Sequence, residues 1–212
     1  MKSQLRLLGG KKLQSPKGSS TRPTTARVRE AVMNILGEKI EDSNWLDLCS
    51  GSGIMGCEAL QRGAKRVLAV EQGQRTAKTC RSNLQSVAED QDRTTYTEVI
   101  CHEVTNFLKE RCQQAKKIKD QSIRFDLVYL DPPYESEIYW PVLNQLLSGN
   151  WLKKGSLVIC EYSPSIGLET PIQWIEKDRR IYGSTALLII TPQWSLLADT
   201  GSKLQQKAQE WL

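Results

Sequence analysis

From Trp45 to Thr191 the chain alternates short apolar runs with longer stretches of helical periodicity, and that alternation leaves few folds open. A short apolar run bounded by turn residues is a buried strand, and a parallel neighbour is reached only through a crossover of a dozen or more residues. The pattern therefore reads as β-α-β units that build a parallel sheet. Strands are expected at Trp45–Cys49, Arg66–Glu71, Thr94–Cys101, Phe125–Leu130, Ser156–Glu161, Ile172–Tyr182 and Thr185–Thr191, with helices at about 54–62, 74–88, 104–116 and 138–148. Gly183-Ser184 leaves room only for a hairpin between the last two strands. The expected class is thus α/β, a seven-stranded, mostly parallel sheet with one antiparallel strand.

Charge divides the chain unevenly. The formal net charge is +5, yet the first 29 residues hold Lys2, Arg6, Lys11, Lys12, Lys17, Arg22, Arg27 and Arg29 and no acid. The rest carries 21 basic and 24 acidic side chains, so the basicity belongs to an N-terminal arm. A polyanion is the natural partner of such a segment, because each neutralised phosphate releases a condensed counterion. Gly9-Gly10 and Pro16-Lys17-Gly18 punctuate Leu5, Leu7, Leu8 and Leu13, which suits a small hairpin. Arg22-Pro23-Thr24-Thr25 then offers a turn and capping hydroxyls before a helix whose apolar face is Val28, Val32, Ile35 and Leu36. The expected layout is a basic, polyanion-binding hairpin and helix over 1–40, the α/β domain over 41–192, and a tail with a terminal helix over 193–212.

Several classes are excluded or disfavoured. The longest aliphatic stretch, Ala186–Ile190, is far short of the roughly 20 apolar residues of a membrane-spanning helix. Residues 1–12 lack the apolar core of a signal peptide, so a cytoplasmic location is expected. Six cysteines without a C-x-x-C spacing, and the single histidine His102, make a zinc site improbable; no metal is expected, and the cysteines read as reduced, packed hydrophobes.

Leu46-Asp47-Leu48-Cys49-Ser50-Gly51-Ser52-Gly53-Ile54-Met55-Gly56 runs from a strand into a helix, and Glu71 ends the next strand 20 residues beyond Gly51. This is the glycine pattern of an adenosine-cofactor crossover. It fits either a nicotinamide dinucleotide or S-adenosylmethionine. Asp47 tilts the choice: a carboxylate ending the first strand repels a pyrophosphate and suits the ammonium of a methionine moiety. Glu71 accepts the ribose hydroxyls under either reading.

Phe125–Leu130 ends in Asp131-Pro132-Pro133-Tyr134, the most specific string in the chain. Successive prolines hold the chain extended and donate no backbone hydrogen bond. The Asp131 carboxylate and the Pro132 carbonyl can then accept both protons of one exocyclic amine, with Tyr134 stacking on the base that bears it. An aromatic amine is a poor nucleophile because its lone pair is delocalised. Two accepted hydrogen bonds favour the pyramidal form, whose lone pair points at an incoming methyl, so catalysis becomes positioning and electrostatics.

These residues resemble the bacterial 16S rRNA guanine-N2 methyltransferases of the RsmD type. The likeness is carried by Leu7–Gly10 through Arg22–Glu30, by Leu46–Ala64 and by Asp126–Tyr134, with a weaker block at Arg180–Leu187. The resemblance implies a Rossmann-like class I methyltransferase fold and S-adenosylmethionine as cofactor, leaving S-adenosylhomocysteine. The implied cofactor contacts are Asp47, Cys49, Gly51, Ser52, Gly53, Glu71, Gln72, Glu103, Val104 and Asp131. Catalytic roles fall on Asp131, Pro132, Pro133 and Tyr134, and RNA contacts on Lys11, Lys12, Arg22, Thr24, Arg27 and Arg29. The partner it implies is 16S rRNA or a small-subunit assembly intermediate, bound by a monomer. Where the family has Gly-Asp before the fourth helix, on the adenine amine, this chain has His102-Glu103.

Other acceptors served by related sites are DNA adenine N6 and a protein glutamine amide, and the basic arm argues against the latter. A nicotinamide oxidoreductase would use the glycines and leave Asp47 and the Asp-Pro-Pro-Tyr string idle. A non-catalytic RNA-binding module would need a decayed site, whereas the chemical residues are intact.

Overall fold

The structure, a computed structural model, describes residues 4–16, 24–91, 93–110, 124–133 and 137–196. Seven strands form one sheet: β1 (Asn44–Leu48), β2 (Arg66–Glu71), β3 (Tyr96–Cys101), β4 (Phe125–Leu130), β5 (Leu152–Tyr162), β6 (Trp174–Tyr182) and β7 (Thr185–Pro192). Their spatial order is β3-β2-β1-β4-β5-β7-β6. The pairs β3-β2, β2-β1, β1-β4 and β4-β5 are parallel, and β7 runs antiparallel to both β5 and β6. One strand is therefore reversed, as the Gly183-Ser184 link requires.

Alternation along the strands divides the core into two faces. Trp45, Val67, Ala69, Leu127, Tyr129, Ile159, Leu187 and Ile189 pack on one side with α1 (Ala26–Leu36), α2 (Ile54–Gln61) and α3 (Gln74–Glu89). Leu46, Leu48, Leu68, Val70, Val128, Leu130, Val158, Cys160, Leu188 and Ile190 pack on the other with α4, described over 104–110, and α5 (Tyr139–Ser148). Both faces are covered, which is why the inner strands read as unbroken apolar runs.

The arm joins the first of these faces. Leu7 N–H donates to the Lys11 carbonyl and Leu13 N–H to the Leu5 carbonyl, both at 2.9 Å, which closes the expected hairpin around the Arg6–Lys12 bridge. Leu7 and Leu13 are buried in the same cluster as Val28, Val32, Trp45 and Tyr129. Thr25 caps α1, its hydroxyl accepting the Val28 N–H at 3.3 Å, an arrangement worth about 0.5–2 kcal/mol.

Several strand boundaries differ from the sequence expectation: β1 is displaced by one residue, β5 and β7 end one residue later, and β6 starts at Trp174 rather than Ile172. β3 begins at Tyr96 rather than Thr94. β5 begins at Leu152 rather than Ser156, because Leu152 pairs with Phe125 before a register shift, and Lys153 Nζ reaches Asp126 Oδ2 on β4 at 2.7 Å. Lys153-Lys154-Gly155 lacks the apolar pattern that marks a strand, and the cross-strand ion pair is a tertiary contact that a local pattern does not show. The terminal helix expected in 199–212, and all but the ends of the polar, basic stretch Lys109–Arg124, which the sequence presents as a helix end running into a loop, lie outside the described residues. Among the described residues no helix is long and apolar enough to cross a membrane.

Candidate active site

The sheet changes its direction of winding between β1 and β4, and ligands of open α/β sheets bind beyond the strand carboxyl ends at such a switch point. β1 delivers the glycine loop there and β4 delivers Asp131-Pro132-Pro133. The two are joined directly: Asp131 N–H donates to the Leu48 carbonyl at 3.3 Å.

Each part of the glycine loop has a steric reason. Gly53 is left-handed at φ 75°, and a Cβ there would lie 2.6 Å from Cys80 Sγ. Gly56 lies within α2 on the face toward β2, where a Cβ would meet Val67 at 2.8 Å, so the third glycine lets the helix approach the sheet. Gly51, at φ 53°, faces open space, with nothing within 4 Å of a Cβ built on it. Cys49 takes a left-handed conformation, φ 62°, without being glycine, and this strain falls at the entrance of the loop.

Acids surround the loop. Glu71 at the end of β2 accepts the Gly51 N–H at 2.9 Å and the Gly73 N–H at 2.8 Å. Asp47 is buried below the loop, 1% exposed, and its Oδ2 accepts the Gly56 N–H at 3.1 Å. Burial pushes the Asp47 carboxyl up to about 7; the Gly56 hydrogen bond opposes this and the Glu71 charge adds to it. Gln72 is exposed beside Glu71.

Glu103 caps α4. Its carboxylate accepts the Thr105 N–H at 2.9 Å, the Thr105 hydroxyl at 2.6 Å and the Asn106 N–H at 2.8 Å. These donors hold the Glu103 carboxyl below its usual range against a desolvation cost that acts in the other direction. Val104 buries its side chain in the core. Only its backbone, in the first helical turn where N–H groups lack intrahelical partners, can address a ligand.

Asp131 is half-buried, Pro132 buried and Pro133 exposed; Tyr134 lies outside the described residues. Desolvation raises the Asp131 carboxyl well above its ordinary value, as do the nearby charges of Glu161 and Asp47, while a hydrogen bond from Thr24 lowers it. Glu161, at the end of β5, accepts the buried Tyr129 hydroxyl, and its carbonyl accepts the Tyr139 hydroxyl at 2.7 Å.

The residues expected on RNA separate into three groups. Lys12 and Arg27 are exposed, the latter 5.7 Å from the centre of the Tyr182 ring. Lys11 is ion-paired with Asp90 and donates to the Ser86 carbonyl at 2.5 Å. Arg29 is buried, 6% exposed, and tied to Glu58, and Thr24 turns inward onto Asp131; Arg22 lies outside the described residues.

Three polar residues that sequence reasoning passed over complete the site. Glu58 is fully buried on α2 and accepts the Leu8 N–H, Arg29 and Arg62. Asn83 on α3 exchanges hydrogen bonds with Gln14 of the hairpin and donates to the Ser52 carbonyl at 2.9 Å. Glu161 had a signal, an acid closing an apolar strand as Glu71 and Asp131 do.

A glycine loop after the first strand and Asp-Pro-Pro after the fourth, on this strand order, define a Rossmann-like class I methyltransferase. The chain belongs to the RsmD family, whose model, described as conserved hypothetical protein 95, matches residues 6–191. It is 33% identical over 177 residues to ribosomal RNA small subunit methyltransferase D of Haemophilus influenzae, covering 82% of this chain and 86% of that one. The Escherichia coli (strain K12) protein of the same name is 29% identical over 188 residues, covering 86% and 87%. The solved structure of Escherichia coli yhhF superposes with a TM-score of 0.72 at 26% identity, over 90% of this chain and 98% of that one.

Proposed function

We propose that the chain transfers a methyl group from S-adenosylmethionine to the exocyclic N2 amine of a guanine in 16S rRNA, in the free RNA or in a small-subunit assembly intermediate. The observation that carries this reading is the Asp131 N–H bond to the Leu48 carbonyl. It sets an acceptor pair for an amine at the mouth of a glycine loop.

The residues present fit the cofactor. Gly51 faces open space, Glu71 sets a carboxylate beside it with acceptor capacity that suits ribose hydroxyls, and Asp47 supplies a buried acid suited to a cationic methionine end. When bound, S-adenosylmethionine supplies a methyl on a sulfonium, so the C–S bond breaks as the C–N bond forms and a neutral thioether leaves. Asp131 and the Pro132 carbonyl hold the amine pyramidal, and the amine proton lost on methylation passes to the Asp131 carboxylate and then to water. A guanine paired through its amine blocks both acceptors, so the base is turned out of the helix before it reaches them. The similarly named relatives are rRNA methyltransferases, and the exposed Lys12 and Arg27 suit a phosphate backbone.

Mapping of methylguanosine in 16S rRNA from cells with and without the protein tests the acceptor, and single-turnover transfer to an rRNA fragment tests the chemistry. Asp131→Ala is expected to lower the transfer rate while RNA and cofactor affinities stay within a few-fold. A wild-type rate in Asp131→Ala, or rRNA whose guanines carry the same methylation in both strains, would overturn the proposal.

A further inference from the structure

Thr24 belongs to the arm by sequence and to the active site by position. Its hydroxyl donates to Asp131 Oδ2 at 3.3 Å across 107 residues of chain, and the side chain is buried, 8% exposed.

The guanidinium of Arg29 holds it there. Nη1 donates to the Thr24 carbonyl at 2.8 Å, Nη2 to the Arg6 carbonyl at 2.8 Å, and Nε to Glu58 Oε1 at 3.2 Å. Glu58 in turn accepts the Leu8 N–H at 2.9 Å and Arg62 Nη1 at 3.0 Å. A guanidinium is a planar fork whose donors leave in fixed directions. One group therefore sets α2, the hairpin and the Thr24 backbone relative to one another.

We infer that Thr24 is a positioning residue for Asp131, acting through its hydroxyl on one carboxylate oxygen and held in place by the Arg29–Glu58 pair. The inference rests on the methyl-transfer reading of Asp131. With Oδ2 engaged by Thr24, Oδ1 is the oxygen oriented for the substrate amine, and the arm takes part in the chemistry as well as in RNA contact.

The sign of the effect follows from the groups around the carboxylate. Glu161 from β5 and Asp47 from β1 face it with like charge, and the Cys49 thiol of the glycine loop and the Tyr139 hydroxyl of α5 lie within its field. Tyr129 of its own strand is bonded to Glu161, and Thr24 is the donor that favours the charged form. Asp131 must be ionised to take up the amine proton, and losing that donor makes the anion harder to form. Activity then falls away at a higher pH.

Thr24→Val keeps the volume and removes the donor, and Thr24→Ser keeps the donor. Carbon-13 titration of the Asp131 carboxyl in the free full-length chain reads the contact directly. Its midpoint is expected to move to higher pH in Thr24→Val and to stay near wild type in Thr24→Ser. Single-turnover transfer to a 16S rRNA fragment across pH is expected to show the acid limb shifting upward in Thr24→Val, with unchanged RNA affinity and rescue by Thr24→Ser. An unmoved Asp131 titration in Thr24→Val would overturn the inference. So would a pH-independent loss of rate accompanied by weaker RNA binding, the mark of a plain phosphate contact. Absence of transfer by the wild-type protein would overturn the functional reading alone, and the carboxyl titration decides the Thr24–Asp131 contact without it.

Discussion

Glu71 Oε2 accepts the Gly51 N–H at 2.9 Å while Oε1 accepts the Gly73 N–H at 2.8 Å, so a single carboxylate spans the glycine loop and the start of α3. A carboxylate has about four lone-pair sites, which leaves capacity for ribose hydroxyls on the same oxygens. Glu71→Ala is expected to weaken binding of S-adenosylhomocysteine by about 1.5–3 kcal/mol, the range for hydrogen bonds to a charged group. Calorimetry checks this, and undiminished affinity would remove Glu71 from the cofactor site.

Asp47 is expected to make cofactor binding dependent on pH. Its carboxyl is raised to about 7 from 3.8, so in the free protein its contribution to stability is complete below the unfolded value and is lost as pH rises through about 7. A cationic ligand end beside it favours the anion, so binding near neutral pH should release protons. Titrations in buffers of different ionisation enthalpy read that release directly, and Asp47→Asn should abolish it.

The Arg29–Glu58 pair is an interior one, with side chains 7% and 0% exposed. Removing Arg29 leaves the buried Glu58 carboxylate only Arg62 and the Leu8 N–H, a loss of at most about 3–5 kcal/mol. Denaturant unfolding of Arg29→Ala should show a drop of that order. A change within experimental scatter would mean that water reaches Glu58.

Salt dependence distinguishes the exposed cations from the ion-paired one. Lys12→Ala and Arg27→Ala should each flatten the slope of log K against log salt for RNA by roughly 0.7–0.9, since each removes one phosphate contact. Lys11 is engaged by Asp90, so Lys11→Ala should change the slope less. Equal effects at Lys11 and Lys12 would show that the Asp90 pair opens on RNA.

Much of this was legible in the residues. Gly53 and Gly56 occupy positions that steric contact forbids to other side chains, and Phe125–Leu130 is buried on both faces, so each carries its pattern locally. The destination of a charge is another matter. Arg27 and Arg29 look alike in a basic run, and only the packing of α1 on α2 puts one beside Tyr182 and the other beneath the surface. Glu103 satisfies the pattern of an acid before a helix equally well as a ligand contact or as a cap, and its three intrachain donors appear only in the folded chain.

The side-chain amide of Asn83 holds the hairpin at Gln14 and the glycine loop at Ser52 together. The arm is therefore not a portable cassette. Grafting the hairpin of a relative onto this body, to retarget it to another RNA, would strand the amide of Asn83 and one acceptor site of Glu58 unless the grafted main chain brings its N–H and C=O groups to the places of Leu8 and Gln14. Redesign of specificity has to recut the body along with the arm.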